Sequence, residues 1–306
     1  MMRDHVAILL GLYGETPFLG AQLDSIAAQD HSDWTLFAGC DDAGCSGAIA
    51  GIDPARVRMI AGPGRGFAAN YLNLLGYVDA DTSYAAFCDQ DDVWHPDKLR
   101  RAIAELRQVE TGTAALYVAR TRVAGALLDP RHISRAGGGR PSFANALVQC
   151  IGGANTMVMN RAALDLLQAA RHEALGENGP ASHDWWAYQI ITGAGGVVLT
   201  DDAPSVLYRQ HGANLVGDNC GLVPFLRRVR LMLGGRYRAS AEGGYAALAA
   251  SVHRMTPANQ AIFAEFRQVR RLPRLRRPLA FRRAGIRRQG RIGTALFYLG
   301  AALGGT

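Results

Sequence analysis

The 306-residue sequence predicts an α/β fold, a mostly parallel sheet flanked by helices and followed by a basic helical extension. Three observations point there. Short apolar runs alternate with helix-period segments through the first half, the pattern of βαβ units. The 49% hydrophobic and 19% charged content belongs to a globular chain and excludes a disordered, collagenous or small disulfide-stapled protein. The net charge of +7 averages two opposite regions. Residues 222–306 carry 17 Arg against Glu242 and Glu265, a local +15, while residues 1–221 hold 16 basic against 24 acidic residues, −8. Lys98 is the only lysine, so a coding preference accounts for part of the arginine excess.

Val6–Leu12 is a continuous apolar run and reads as strand one. Thr16 offers an N-cap oxygen and Pro17 a preset first turn for a helix with Phe18, Leu19, Leu23 and Ile26 on one face. Strands follow at 34–38 and 57–60, then an amphipathic helix at 67–78. Tyr84–Cys88 reads as a fourth strand, and a helix from near Pro96 carries Leu99, Ile103 and Leu106 at helical spacing. After a strand at 116–119, the Gly-, Arg- and Pro-rich stretch 129–140 reads as a mobile loop. Helices are expected at 143–150, 161–170 and 183–192, and strands at 197–199 and 206–208. Beyond Gly221, basic helical segments are broken by Gly234-Gly235, Pro257, Pro273 and Pro278. The chain therefore divides into a 1–221 domain and a 222–306 extension, with the boundary near 215–222.

Cys40, Cys45, Cys88, Cys150 and Cys220 are odd in number and form no C-x-x-C pair. They read as buried reduced thiols of a cytosolic protein, and Cys40 with Cys45 lacks the second Cys/His pair of a zinc site. The first apolar run leads into Gly14-Glu15-Thr16-Pro17, which is no signal-peptide cleavage site. The uncharged stretch 292–306 is shorter than the roughly 20 apolar residues of a spanning helix.

Chemistry concentrates in Phe87-Cys88-Asp89-Gln90-Asp91-Asp92-Val93-Trp94. Three carboxylates directly after an apolar strand sit where open α/β sheets bind ligands, and a hard divalent cation relieves their repulsion. The same string also fits a solvated loop in which Asp92 starts the next helix. Asp41-Asp42 follows strand two and belongs to the same sheet edge, or to an ordinary βα turn. In Ser182-His183-Asp184-Trp185-Trp186 an aspartate opens a helix beside two tryptophans, as a general base or as a plain first-turn acid. Tyr208-Arg209-Gln210-His211-Gly212 follows a late strand, and both Arg209 and His211 also admit structural readings.

In this order the segments resemble the family-2 glycosyltransferases of the GT-A fold, and within them bacterial rhamnosyltransferases acting on cell-surface polysaccharides. The matching residues are Tyr13, Gln22-Leu23-Asp24-Ser25-Ile26 with Gln29, Asp41-Asp42, Gly66, Asn70-Tyr71, and Asp89-Gln90-Asp91-Asp92-Val93-Trp94 with Pro96 and Lys98-Leu99. Gly153, Asn155-Thr156-Met157, Asn160-Arg161, His183-Asp184-Trp185-Trp186, Tyr208-Arg209-Gln210-His211-Gly212 and Asn214 complete the set, so the resemblance covers about 5–217.

The resemblance implies that Tyr13, Asp41, Asp42, Asn70 and Asp89 bind a nucleotide-sugar, a dTDP- or UDP-sugar with rhamnose favoured. It implies that Asp91, with Asp89 and His211, holds Mg²⁺ or Mn²⁺, that Asp92 supports this group, and that Arg209 and His211 lie by the departing diphosphate. Asp184 is then the general base in an inverting transfer to a hydroxyl of a lipid-linked or polysaccharide acceptor. Two departures fall in the nucleotide pocket: Gly14-Glu15 replaces the usual Asn-Gly, and Ala43-Gly44-Cys45 the usual Gly-Ser. A nucleotidyltransferase or sugar-nucleotide hydrolase would use the same metal cluster.

In the extension, paired arginines from Arg270 to Arg291 interleave with Leu272, Leu275, Leu279, Phe281 and Ile286 and precede an apolar end. This suits an amphipathic element on an anionic membrane surface, and hence a cytoplasmic protein peripheral at the inner face of the cell membrane. A solvated helical face is the plainer reading. A basic nucleic-acid-binding module needs stacking aromatics, and 270–291 offers only Phe281, so no nucleic-acid partner is expected.

Overall fold

The computed structural model describes residues 4–42, 44–45, 49–134, 141–176, 179–212 and 236–304, with side chains from Glu242 onward in the last segment. Its strands are β1 (Val6–Leu12), β2 (Trp34–Cys40), β3 (Val57–Ala61), β4 (Tyr84–Cys88), β5 (Val93–Trp94), β6 (Ala115–Ala124), β7 (Pro130–Ile133), β8 (Val158–Asn160) and β9 (Val197–Arg209). The helices are α1 (Leu19–Ala27), α2 (Phe67–Leu75), α3 (Lys98–Leu106), α4 (Phe143–Ala146), α5 (Arg161–Ala174) and α6 (His183–Gly193). Four more follow: α7 (Arg236–Ala250), α8 (Pro257–Arg271), α9 (Arg277–Arg283) and α10 (Arg291–Leu303).

The strands form one nine-stranded sheet in the order β3-β2-β1-β4-β8-β6-β9-β5, with β7 added to β6. The half containing β3, β2, β1 and β4 is parallel, as is the β6–β9 pair. β8 runs antiparallel to both β4 and β6, which reverses direction mid-sheet. Helices cover both faces, which is why β1 is apolar throughout. Ala7 and Leu9 face a core built with α2, α5 and α6, while Val6, Ile8 and Leu10 face α1 and α3.

Polar residues on α1 fix the elements around the candidate site. Gln22, Ser25 and Gln29 are buried and recur at spacings that share a helix face. Ser25 Oγ accepts from Trp94 N at 3.0 Å. Gln29 donates to the His95 carbonyl at 2.8 Å and accepts from Leu99 N at 3.2 Å, so it satisfies an otherwise unpaired donor at the start of α3.

Several elements differ from the sequence expectation. The first helix starts at Leu19 and has no side-chain cap, so Thr16 is not its N-cap; its hydroxyl accepts only from Phe18 N, at 3.4 Å. Part of the expected mobile loop is β7, because β6 runs on to Ala124 and offers a free edge. The two late strands are one 13-residue strand, β9, whose register against β6 shifts at Ala119–Thr121. The two-residue β5 pairs with β9 and has no signal of its own in the sequence.

Cysteine chemistry also differs. Cys40 and Cys45 are joined in a disulfide, since the chain folds back and brings their Cα atoms to 5.7 Å, so these two are not free thiols. Cys88 is buried and Cys150 half-buried, and both are reduced, while Cys220 lies outside the described residues. The expected boundary near 215–222 also lies outside them. The described extension does not stand apart from the body: Phe263, Phe266, Phe281 and Phe297 belong to the same core as Phe87, Phe143 and Trp186. Tyr245 donates to the Leu147 carbonyl at 2.8 Å, and Asn145 to that of Arg287 at 3.1 Å.

Because all four tryptophans, at 34, 94, 185 and 186, lie in the body, tryptophan fluorescence reports its unfolding alone. Phe281→Ala removes a fully buried ring and is expected to lower the stability read by that signal by about 3–5 kcal/mol. An extension that folds independently would leave the urea midpoint of the tryptophan transition unchanged.

Candidate active site

Parallel pairing of β1 with β2 and β4 brings their carboxyl ends to one edge, with Leu12 opposite Cys40 and Leu10 opposite Cys88. Tyr13, Asp41-Asp42 and Asp89 therefore emerge side by side, where open α/β sheets hold ligands. Gln90 stitches this edge together. It accepts from Tyr13 N and donates to the Tyr13 carbonyl, each at 3.0 Å, while the Tyr13 side chain stays 69% exposed.

The carboxylates between β4 and β5 have separate surroundings. Asp92 is 0% exposed, accepts from Arg209 N at 3.0 Å and from the Asn155 side-chain amide, and does not start a helix. Lys98 is equally buried; its ammonium donates to the Asn155 carbonyl at 2.7 Å and lies 3.2 Å from the Trp94 ring centroid. Burial lowers the Lys98 pKa to about 7, against the opposing pull of Cys88, Asp92 and Asp89. Burial, then Asp89 and Asp91, push Asp92 well up.

Asp89 and Asp91 point to the site. Asp89 accepts from the Tyr71 hydroxyl at 2.9 Å and is raised by burial and by Asp91, with a further push from Asp184. Asp91 meets His211 Nε2 at 2.8 Å. The Arg209 guanidinium bonds the backbone carbonyls of Asp91 and Ala126 and packs 4.4 Å from the Phe18 ring, so it anchors the acidic loop to the end of β9.

Asp184, half-buried in the first turn of α6, accepts from the Ser182 hydroxyl and from Trp185 N. An aromatic stack ties it to Asp89. The ring of the preceding residue, His183, lies 3.7 Å from that of Tyr71, and Tyr71 donates to Asp89. His183 is buried, neither ring nitrogen has a hydrogen-bond partner, and burial lowers its pKa to about 4, so it acts as a neutral aromatic plate. Cys150, its thiol pushed up by burial, neighbours Asp184. The sequence offered no reason to single out Cys150, and Gln90 appeared only as part of the acidic string; the folded chain gives each its place.

On the other flank, Asp41 accepts from Gly64 N and Gly66 N at 2.8 Å each, and Asp42 from Gly14 N at 2.9 Å and Gly44 N at 3.2 Å. The pair thus orders the loops around a prospective nucleotide pocket, and each oxygen keeps a second lone pair. Asn70 is 1% exposed and donates to the Gly39 carbonyl at 2.7 Å, joining α2 to β2.

Asp89, Asp91, Asp92 and Asp184 share the electrostatic neighbourhood of two cations, Lys98 and Arg209. An anionic diphosphate would add to that excess, so the donor set fits a divalent cation. Mg²⁺ is ordinarily held by one or two carboxylates with substrate phosphates completing the shell, and Asp91 with Asp89 or His211 meets that requirement. Among the described residues, the one group of three His, Cys, Asp or Glu side chains with ligand atoms all within 4.8 Å is Cys40, Asp42 and Cys45. Its sulfurs are consumed by the disulfide.

The family profile described as Glycosyl transferase family 2 matches residues 8–161, half of the chain. Among solved structures, S. aureus TarS aligns with a TM-score of 0.52 at 14% identity, over 92% of this chain and 53% of that one, and shares its fold. S. aureus TarS 1-349 in complex with UDP-GlcNAc aligns at 0.49 and 12% identity, over 92% of this chain and 88% of that one. The mannosyltransferase PcManGT from Pyrobaculum calidifontis, in complex with GDP-Man and Mn²⁺, aligns at 0.46 and 18%, over 97% and 85%. No curated protein sequence matches the chain.

Lys98→Met leaves the buried Asn155 carbonyl without its donor and removes the cation whose field reaches Asp92, and is expected to cost about 1–3 kcal/mol. Adding Asp92→Asn is expected to recover at least ~1 kcal/mol of that loss, measured as a coupling energy in a urea double-mutant cycle. Strict additivity would show that the two groups do not sense each other.

Proposed function

The chain belongs to glycosyl transferase family 2, and on that premise we propose that it moves a sugar from a dTDP- or UDP-sugar to an acceptor hydroxyl with inversion at the anomeric carbon. The observation that carries this reading is the Tyr71–His183 stack, which links Asp89 at the sheet edge to Asp184 at the head of α6. In this reading a group that holds the donor and a group that takes a proton flank one aromatic stack.

In this reading Asp41 and Asp42 keep their backbone partners and use their remaining lone pairs for the base and ribose, with Tyr13 at the rim. Asp91, assisted by Asp89 and His211, would hold Mg²⁺ or Mn²⁺, whose positive charge would stabilise the departing diphosphate. Asp184 accepts the acceptor's proton as the hydroxyl attacks from the face opposite the diphosphate, and a single displacement inverts the centre. Arg209 holds Asp91 in place from the end of β9, beside the position of the diphosphate. Rhamnose is the favoured sugar, and a lipid-linked or polysaccharide chain at the cytoplasmic membrane face the favoured acceptor.

Donor choice is read by thermal stabilisation with dTDP-rhamnose, UDP-hexoses and GDP-mannose, each with and without Mn²⁺. The expected result is a metal-dependent shift, strongest for dTDP-rhamnose and lost in Asp91→Ala. Asp184→Asn is expected to retain that shift while turnover falls roughly 10²–10⁴-fold. Near-normal transfer by Asp184→Asn would show that the base is another group.

A further inference from the structure

The C-terminal end of the chain carries an apolar face that the fold leaves uncovered. Of the twelve large hydrophobic side chains exposed among the described residues, five fall within 275–303: Leu275, Leu279, Ile292, Leu299 and Leu303. On α10, Ile292, Ala295, Leu299 and Leu303 recur at spacings of three and four and line one exposed stripe. Phe297 and Ala301, on the opposite side, are buried in the core. The stripe is rigidly held: the Tyr298 hydroxyl donates to the Ile286 carbonyl at 3.0 Å and Thr294 to that of Arg288 at 3.0 Å. Leu275 sits at the Leu303 end, since a Cβ added at Gly304 would lie 2.6 Å from Arg274 Nε.

Exposed arginines, among them Arg274, Arg276, Arg282, Arg283 and Arg291, interleave with these residues along the chain, and no Asp or Glu follows Glu265. The segment leading into α10 is also pinned near the proposed base. Gln149 and Gln289 form a reciprocal pair, with Gln289 N donating to Gln149 Oε1 at 3.0 Å and Gln149 Nε2 to Gln289 Oε1 at 3.2 Å. The next residue, Cys150, neighbours Asp184.

We propose that the stripe of α10, with Leu275, Leu279 and the interleaved arginines, seats the protein on an anionic lipid bilayer and presents Asp184 to acceptor hydroxyls carried at that surface. This deepens the glycosyl-transfer reading and rests on it only for the role of Asp184. Charge complementarity selects the occupant. Exposed leucines among uncompensated arginines match the boundary of an anionic leaflet, where side chains enter the acyl region and guanidinium groups meet phosphates. A second copy of the same face would oppose arginine to arginine. Nucleic acid would need exposed rings to stack on, whereas Phe281 and Phe297 are buried and Tyr298 is half-buried with its hydroxyl bonded.

The test is co-sedimentation of the full chain with vesicles of phosphatidylcholine alone and of phosphatidylcholine mixed with phosphatidylglycerol. Binding is expected to the mixed vesicles at low salt, to weaken as salt rises, and to be at least ~10-fold weaker for the double variant Ile292→Glu, Leu299→Glu. Both positions are exposed, so the variant is expected to keep the wild-type unfolding midpoint and nucleotide-sugar shift. Arg282→Gln with Arg283→Gln is the second arm and is expected to reduce the preference for anionic over neutral vesicles. No sedimentation with anionic vesicles at low salt overturns the proposal. So does equal binding by the double Glu variant, a dimer that the variant dissolves, or a preference for single-stranded RNA over vesicles. Failure of the Asp184→Asn test with vesicle binding intact would instead overturn the assigned base and leave this surface standing.

Discussion

Everything at the candidate site hangs on a buried carboxylate, Asp92. A carboxyl group with no solvent contact is tolerated only where hydrogen bonds surround it, and the groups that surround this one come from distant parts of the chain. Arg209 N arrives from the end of β9 and the Asn155 amide from the turn before β8, while Lys98, from the start of α3, bonds the Asn155 carbonyl and so holds that turn in place. Satisfying one carboxylate therefore fixes where β9 ends, where β8 begins and how α3 leaves the sheet. Asp89 and Asp91 sit three residues or fewer before it and inherit that rigidity, which is what a preorganised ligand site needs.

The same economy explains residues that never approach a ligand. Ser25 and Gln29 bind the backbone around β5 and α3 and Gln22 donates to the Cys88 sulfur at the end of β4, so polar residues on and just after α1 serve as the scaffold of the acidic loop. Arg209 and Asn70 work alike, each spending its donors on backbone carbonyls. The outcome is an acidic loop held rigidly at the sheet edge with surplus negative charge, suited to a cation that arrives with its anionic donor.

Legibility in the sequence followed burial. β1, β2 and β4 are covered on both faces and appear as unbroken apolar runs, and the carboxylates beyond them were found because strand ends in such sheets are where ligands bind. β5 and β8, two and three residues long, have no room for a period and exist through pairing alone. β7 begins at Pro130, a residue that argues against strand unless a neighbour supplies the edge. The Cys40–Cys45 disulfide depends on how the loop after β2 folds back, which spacing does not encode. Asn70 matched a family string, and the structure adds that it is buried and bonds the Gly39 carbonyl, which spacing alone does not encode. In the extension the arginines drew attention to the solvent face, whereas Phe281 and Phe297, separated along the sequence, join the body's core only once the helices stack.

The central claim is that the acidic loop after β4 receives a metal-bound nucleotide sugar within reach of Asp184. Anomalous diffraction from crystals of the full chain grown with Mn²⁺ and a nucleoside diphosphate tests it most directly. The account predicts one manganese peak within coordination distance of an Asp91 carboxylate oxygen, bridged to the diphosphate, with the open side of the site facing Asp184. Nucleotide bound with manganese at Asp41-Asp42, or with none at Asp91, would contradict it.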